Sequence, residues 1–167
     1  MADSPAIDPA LLDRLRRGFP LRLDRMGEFW IADDRVTHPR VQDVLHAGLD
    51  VSEGGEPTMH LGDQWCYLTV DDCYLRVIRV RSAADGGALL LQLDDGRSVT
   101  LDPTTLWEEP DQGLRCAVPA RRSGRPLSAR FTNLAQIELA ERIDLEAEPR
   151  PELVVGDARW PIPESAP

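Results

Sequence analysis

The chain has 167 residues, of which 42% are hydrophobic and 29% charged, and its formal net charge is −10. A chain of this length buries enough surface to fold without a disulfide framework or a structural metal, and so acidic a molecule repels duplex nucleic acid. All 19 basic residues are Arg, which excludes chemistry that needs a lysine amine, such as Schiff bases, pyridoxal phosphate attachment and the P-loop.

Asp8-Pro9 predicts the start of a helix, with Asp8 as the cap and Pro9 at the first helical position. Leu11, Leu12 and Leu15 supply its apolar stripe, and Gly18 ends it. A hairpin follows. Leu21 and Leu23 alternate with Arg22 and Asp24, residues 25–28 turn, and Phe29-Trp30-Ile31 returns. A second helix is predicted with Thr37 as N-cap, Pro39 in its first turn, and Val41, Val44, Leu45 and Leu49 on one face. His46 is expected on its surface, and residues 52–57 read as a loop or linker.

From about residue 58 the pattern changes to strands. Expected strands are Met59–Leu61, Trp65–Val70, Tyr74–Arg81, Ala88–Leu93, Arg97–Leu101, Leu114–Val118 and Leu127–Phe131. Asp94-Asp95-Gly96 is the clearest hairpin turn. Thr132 is expected to cap a third helix, and a Pro-rich acidic tail ends in a short pair, Leu153–Val155 with Arg159-Trp160-Pro161. The expected division is an N-terminal α-rich subdomain, 1–56, and a β-rich domain, 57–167, of an α+β fold. Hairpin, Arg-x-Thr and helix recur in residues 20–49 and 113–145, which raises an internal duplication as one reading and chance as the other.

Few residues carry a chemical signature. Cys66, Cys73 and Cys116 are odd in number and form no CxxC, which reads as reduced intracellular thiols. The spacing of His60, Cys66 and Cys73 matches no common zinc motif, so no metal and no cofactor is expected. The four tryptophans read as core anchors. There is no GxGxxG, GxSxG, HExxH or P-loop, so a non-enzymatic role comes first. No apolar run approaches the ~20 residues of a membrane span and no basic-then-apolar leader opens the chain, so a cytoplasmic protein without a membrane partner is expected.

Asp71-Asp72 lies between strands, as a plain turn or as a functional edge. His38-Pro39 opens a helix whose free N–H groups could meet an anion. Arg115, Arg121, Arg122, Arg125 and Arg130 fall in a stretch without acidic residues. The tip Arg121-Arg122-Ser123-Gly124-Arg125 fits either a phosphate or carboxylate contact or a solvated turn.

The sequence resembles the bacterial family called domain of unknown function 1285. Phe19-Pro20-Leu21 to Phe29-Trp30, followed by Thr37-His38-Pro39-Arg40-Val41, resembles that family's opening hairpin and helix. Thr69-Val70-Asp71-Asp72 resembles its Val-Glu-Asp segment, with Tyr74-Leu75 in place of the family's Pro-Phe. Residues 95–102, Phe131–Arg142 and Gly156–Ile162 resemble its central hairpin, closing helix and last strand. The resemblance implies two related halves and a C-terminal barrel, loosely like a pleckstrin-homology domain and closed by a helix. It further implies a ligand groove between the halves and a signalling role with a nucleotide-like ligand.

The leading expectation is therefore a non-enzymatic module that binds a small anionic ligand. Asp71 and Asp72 stand at the rim of its site, His38 at the helix N-terminus, and Arg76 and Arg79 on the adjoining strand. Arg121, Arg122 and Arg125 form a second surface. The alternatives are a protein–protein interaction module and a hydrolase-like enzyme using Asp71, Asp72 and His60. The oligomeric state is left open.

Overall fold

The structure, a computed structural model, describes residues 8–167. The chain divides into two compact units, Met1–Asp72 with Arg121–Ser123, and Cys73–Ala120 with Gly124–Pro167. The fold is α+β, with three α-helices and four sheets among the described residues.

In the first unit, α1 (Pro9–Gly18) begins as its sequence dictates. The Asp8 carboxylate accepts from the Ala10 N–H at 3.0 Å, and Arg16 and Arg17 lie in the last turn, where cations meet the negative end of the helix. None of its residues is buried, so the leucine stripe is not part of a closed core. The predicted hairpin is present as β1 (Leu21–Leu23) and β2 (Phe29–Ile31), and a short β3 (Asp34–Arg35) adds to β2. Asp24 organises the turn: its carboxylate accepts from the Met26 and Glu28 N–H groups and from the Trp30 indole at 2.8 Å.

Helix α2 (Pro39–Gly48) starts one residue later than expected, with His38 at the N-cap and no side-chain cap. The extended segment before it ends in β3, which leaves Thr37 in the connection. His46 is half-buried, its ring edge-on to Phe29 at 5.0 Å, because it lies in the last turn near the buried Leu45 and Gly48. The helix ends at Gly48, and Leu49–Val51 is a strand, β4, antiparallel to β5 (Pro57–Leu61), which pairs with β6 (Gln64–Tyr67). Residues 57–67, expected with the second half, thus extend a sheet that starts in the first. β7 (Thr69–Val70) runs parallel to β1, giving the order β3-β2-β1-β7.

The second unit is built on a six-stranded sheet. Its strands are β8 (Leu75–Ser82), β9 (Leu89–Leu93), β10 (Ser98–Thr100), β11 (Trp107–Glu109), β12 (Gly113–Pro119) and β13 (Pro126–Phe131), in the order β10-β9-β8-β13-β12-β11. The Asp94-Asp95-Gly96 turn joins β9 to β10. Gly96 takes φ +84°, which a side chain would resist, and Asp95 accepts from Arg97 through both backbone and guanidinium. β8 and β13 are parallel, and every other pair in this sheet is antiparallel. Thr132 caps α3 (Asn133–Ala140), which packs on β8 and β13. The tail forms a three-stranded sheet, β14 (Ile143–Asp144), β15 (Glu152–Val155) and β16 (Ala158–Pro161).

Among the described residues no sheet closes into a barrel: β10 and β11 are the two edges of the large sheet. Between them the chain leaves the ladder in a 3-10 turn, Pro103–Thr105, and Pro103 lacks the N–H that a ladder needs. Alternation sets the faces. Leu75 and Val77 of β8, Leu127, Ala129 and Phe131 of β13, and Cys116 and Val118 of β12 are buried on one face.

Candidate anion-binding site

The other face of the same three strands carries arginine. Arg76 of β8 pairs in register with Arg130 of β13, and Arg130 pairs with Arg115 of β12. Register partners share a face, and neighbouring strands lie ~5 Å apart, so three guanidinium-bearing residues stand at one level of the sheet. Trp107 of β11 continues the row beside Arg115. Arg76 and Arg115 are buried and Arg130 is half-buried. The Arg76 guanidinium donates to the Cys73 carbonyl at 2.9 Å. Arg115 donates to the Cys73 Sγ at 3.4 Å and to Gln112 Oε1 at 2.6 Å. Cys73 is thus the meeting point of two arginines, one at its carbonyl and one at its sulfur.

Of the expected site residues, Arg76 falls in this row, beside Arg115 and Arg130 of the basic stretch. Arg79, further along β8, makes a 2.6 Å ion pair with Glu138 of α3, whose other carboxylate oxygen accepts from the Val80 N–H at 2.6 Å. These contacts tie α3 to β8. The Val80 N–H first, and then the Arg79 guanidinium, hold the Glu138 carboxyl below its ordinary 4.5. A carboxyl with a depressed folded value stabilises the protein above its unfolded value, and that stability is lost as pH falls through the folded one. Thermal melts are expected to separate the wild type from Glu138→Gln at pH 7 and to show a narrower gap at pH 3. Equal melting temperatures at pH 7 would remove the Glu138 contacts from the account of stability.

His38 is exposed at the α2 N-cap. Asp71 makes a 2.7 Å ion pair with Arg22 of β1, a residue distant in the sequence. Asp72 is half-buried in the bend after β7. Arg121 and Arg122 are exposed at the tip between β12 and β13, and Arg125 is half-buried at its base, where its carbonyl accepts from the Ala120 N–H. His60 of β5 contacts Thr58 Oγ1 at 3.2 Å and stacks on Trp65. Burial and the Arg122 charge push its pKa down, against the opposing pull of Asp50. Asp50 is buried and accepts from the Ser123 hydroxyl. His60 makes no hydrogen bond to Asp71, whose carboxylate is held by Arg22.

None of the cysteines forms a disulfide; Cys73 and Cys116 are buried and Cys66 is half-buried. Burial pushes the Cys116 thiol up to about 12, as suits packing in place of reactivity. Among the described residues no group of three or more His, Cys, Asp or Glu side chains is gathered for a metal ion. No helix among them is long and apolar enough to cross a membrane. Of the tryptophans, Trp107 is buried, and Trp30, Trp65 and Trp160 are half-buried.

Arg115 and Arg130 were not among the expected site residues. Their alternation with buried neighbours, Arg115 before Cys116 and Arg130 between Ala129 and Phe131, is visible in the sequence. The pairing that aligns them with Arg76 is not, because β8 and β13 are parallel and far apart in the chain.

Two α+β units, one of them a six-stranded mixed sheet carrying an arginine row, define the class of this protein. No protein-family model and no curated protein matches the sequence. Solved structures do share the fold. A DUF1285 family protein from Silicibacter pomeroyi DSS-3 superposes with a TM-score of 0.69 at 16% identity, over 96% of this chain and 89% of that one. A DUF1285 family protein from Shewanella baltica OS155 gives 0.59 at 12% identity, over 77% of this chain and 95% of that one. The chain has the DUF1285 fold, as the resemblance in its sequence implied.

Proposed function

We propose that the protein is a non-enzymatic regulatory module that binds a small anionic, nucleotide-like ligand through the arginine row of its second unit. The observation that carries this reading is the alignment of Arg76, Arg130 and Arg115 on one face of three adjacent strands. Planar guanidinium forks hold a phosphate or carboxylate through paired, charge-assisted hydrogen bonds. Asp72, His38, Arg121, Arg122 and Arg125 remain candidates for the rim, and Arg79 and Asp71 serve in ion pairs. The order hairpin then helix recurs, as β1–β2 before α2 and β12–β13 before α3, which supports the reading of duplicated halves.

The test is a thermal-shift and calorimetric titration with guanosine monophosphate, pyrophosphate and citrate. A ligand that binds only the folded state, at a hundred times its Kd, adds ~2.7 kcal/mol of stability. Arg130→Gln is the informative variant because Arg130 is the least buried of the row. It is expected to weaken binding about tenfold or more, as the loss of a charge-assisted hydrogen bond does. A flat response to every anion would replace this reading with that of a protein–protein interaction module.

A further inference from the structure

The first unit holds a second feature, independent of the arginine row. Between α1 and the β5–β6 hairpin lies a cavity of about 330 Å³ lined by Leu12, Leu15, Phe19, Met59, Leu61 and Trp65, with Arg16, Gln64 and Cys66 completing it. This volume is at the lower end of the ~300–1,000 Å³ of small-molecule sites. Its walls are wetter than a core allows: Leu15 is 62% exposed, Phe19 47% and Leu61 44%. Two leucines of the α1 stripe, Leu12 and Leu15, line this cavity.

The charged group at the cavity is Arg16. Its guanidinium lies over the Trp65 ring, 4.0 Å from the centroid. The Trp65 ring is itself fixed by His60, stacked at 6.0 Å, and by Tyr67, edge-on at 5.2 Å. The next residue, Arg17, shows what a satisfied arginine looks like here. It pairs with Asp13 at 2.8 Å and Glu56 at 2.7 Å, and lies over Tyr67. Among the described residues no carboxylate pairs with Arg16. Arg16 is thus a half-buried cation against an apolar wall, and its planar fork can hold a carboxylate bidentately.

We infer that this cavity binds a small carboxylic acid with an apolar body. The hydrocarbon fills the space between Leu12, Leu15, Met59 and Leu61, and the carboxylate meets the Arg16 fork at the rim beside the Gln64 amide. One planar fork matches a monocarboxylate, whereas a phosphate dianion calls for further cations that this cavity does not line up. The site is too small for a peptide helix, and its single charge gives the ligand one orientation.

Octanoate is the probe and 1-octanol its neutral counterpart. Isothermal titration of the full chain is expected to show saturable one-to-one binding of octanoate. Arg16→Gln weakens it about tenfold or more, leaving octanoate no tighter than 1-octanol, which binds both proteins alike. Arg14→Gln, on the same helix away from the cavity, retains the wild-type affinity. So does Arg130→Gln, which separates this site from the anion site of the second unit. Circular dichroism checks that each variant is folded, and Leu15→Glu supplies a second block by placing a carboxylate where the ligand's chain lies. Unsaturable heats, equal affinity in wild type and Arg16→Gln, or equal binding of octanol and octanoate to the wild type each overturn the assignment. So would a dimer in light scattering that octanoate neither binds nor dissociates, which gives the groove to a second copy of the chain.

Discussion

Phe131→Ala is expected to cost about 3–5 kcal/mol, the range for removing a buried aromatic ring. Phe131 is 1% exposed, lies in register with Val77 of β8, and immediately precedes Thr132, the cap of α3. Three things therefore depend on one ring. It fills the buried face of the central β8–β13 pair. It holds the end of β13 where the chain must leave the sheet. It sets the position from which Thr132 Oγ1 accepts from the Ala135 N–H. A domain of ordinary stability has only ~5–15 kcal/mol in total, so the substitution consumes a large part of it. Urea unfolding followed by circular dichroism measures the loss, and Phe131→Leu should recover most of it. A change below about 1 kcal/mol in Phe131→Ala would mean that the ring packs against space that collapses freely. The arginine row is on the opposite face, so the proposed anion binding should persist in any fraction that remains folded.

Local features of this fold are legible in its sequence and distant pairings are not. Asp8-Pro9, the Asp94-Asp95-Gly96 turn and the Thr132 cap each fix a few consecutive residues, and each appears where the sequence puts it. β4 escapes a reading of the sequence because Val41, Val44, Leu45 and Leu49 continue a helical spacing past the point where the helix must stop. Thr37 is no cap because strand β3 extends the hairpin toward it. The expected barrel is absent because β10 and β11 stand at opposite edges of the sheet, an order that no local pattern shows. The site residues show the same division. Asp71 and Arg79 are ordinary charges until partners 49 and 59 residues away claim them, Arg22 and Glu138. The arginine row needs the parallel β8–β13 pairing, which no local pattern encodes. The apolar face of α1 is legible as amphipathic, but whether such a face meets a core or a cavity depends on what β5 and β6 bring to it.

Gly48→Ala is the second large effect, and it tests why α2 ends where it does. A Cβ on Gly48 would overlap the His60 carbonyl oxygen and come within 2.8 Å of the Met59 Sδ. The methionine can rotate away, but the carbonyl belongs to the β5 backbone and is held in the sheet by β4 and β6. The helix end and the strand approach so closely that only a hydrogen fits. Overpacking of this kind costs typically ~1–3 kcal/mol, and the upper end is expected because the obstacle is backbone. Gly18→Ala is the matched control. It also ends a helix of the first unit, yet a methyl added there would meet nothing within 4 Å, so it should be neutral or stabilising by up to ~1 kcal/mol through the unfolded chain. The two variants differ only in what the new methyl meets, so the gap between their unfolding midpoints measures the α2–β5 approach itself. Any shift of β5 in Gly48→Ala carries Met59 and Leu61 with it, and octanoate binding should weaken even in molecules that stay folded. Equal stability of the two variants would mean that the helix stands further from the strand and that Gly48 stops α2 for a reason other than space.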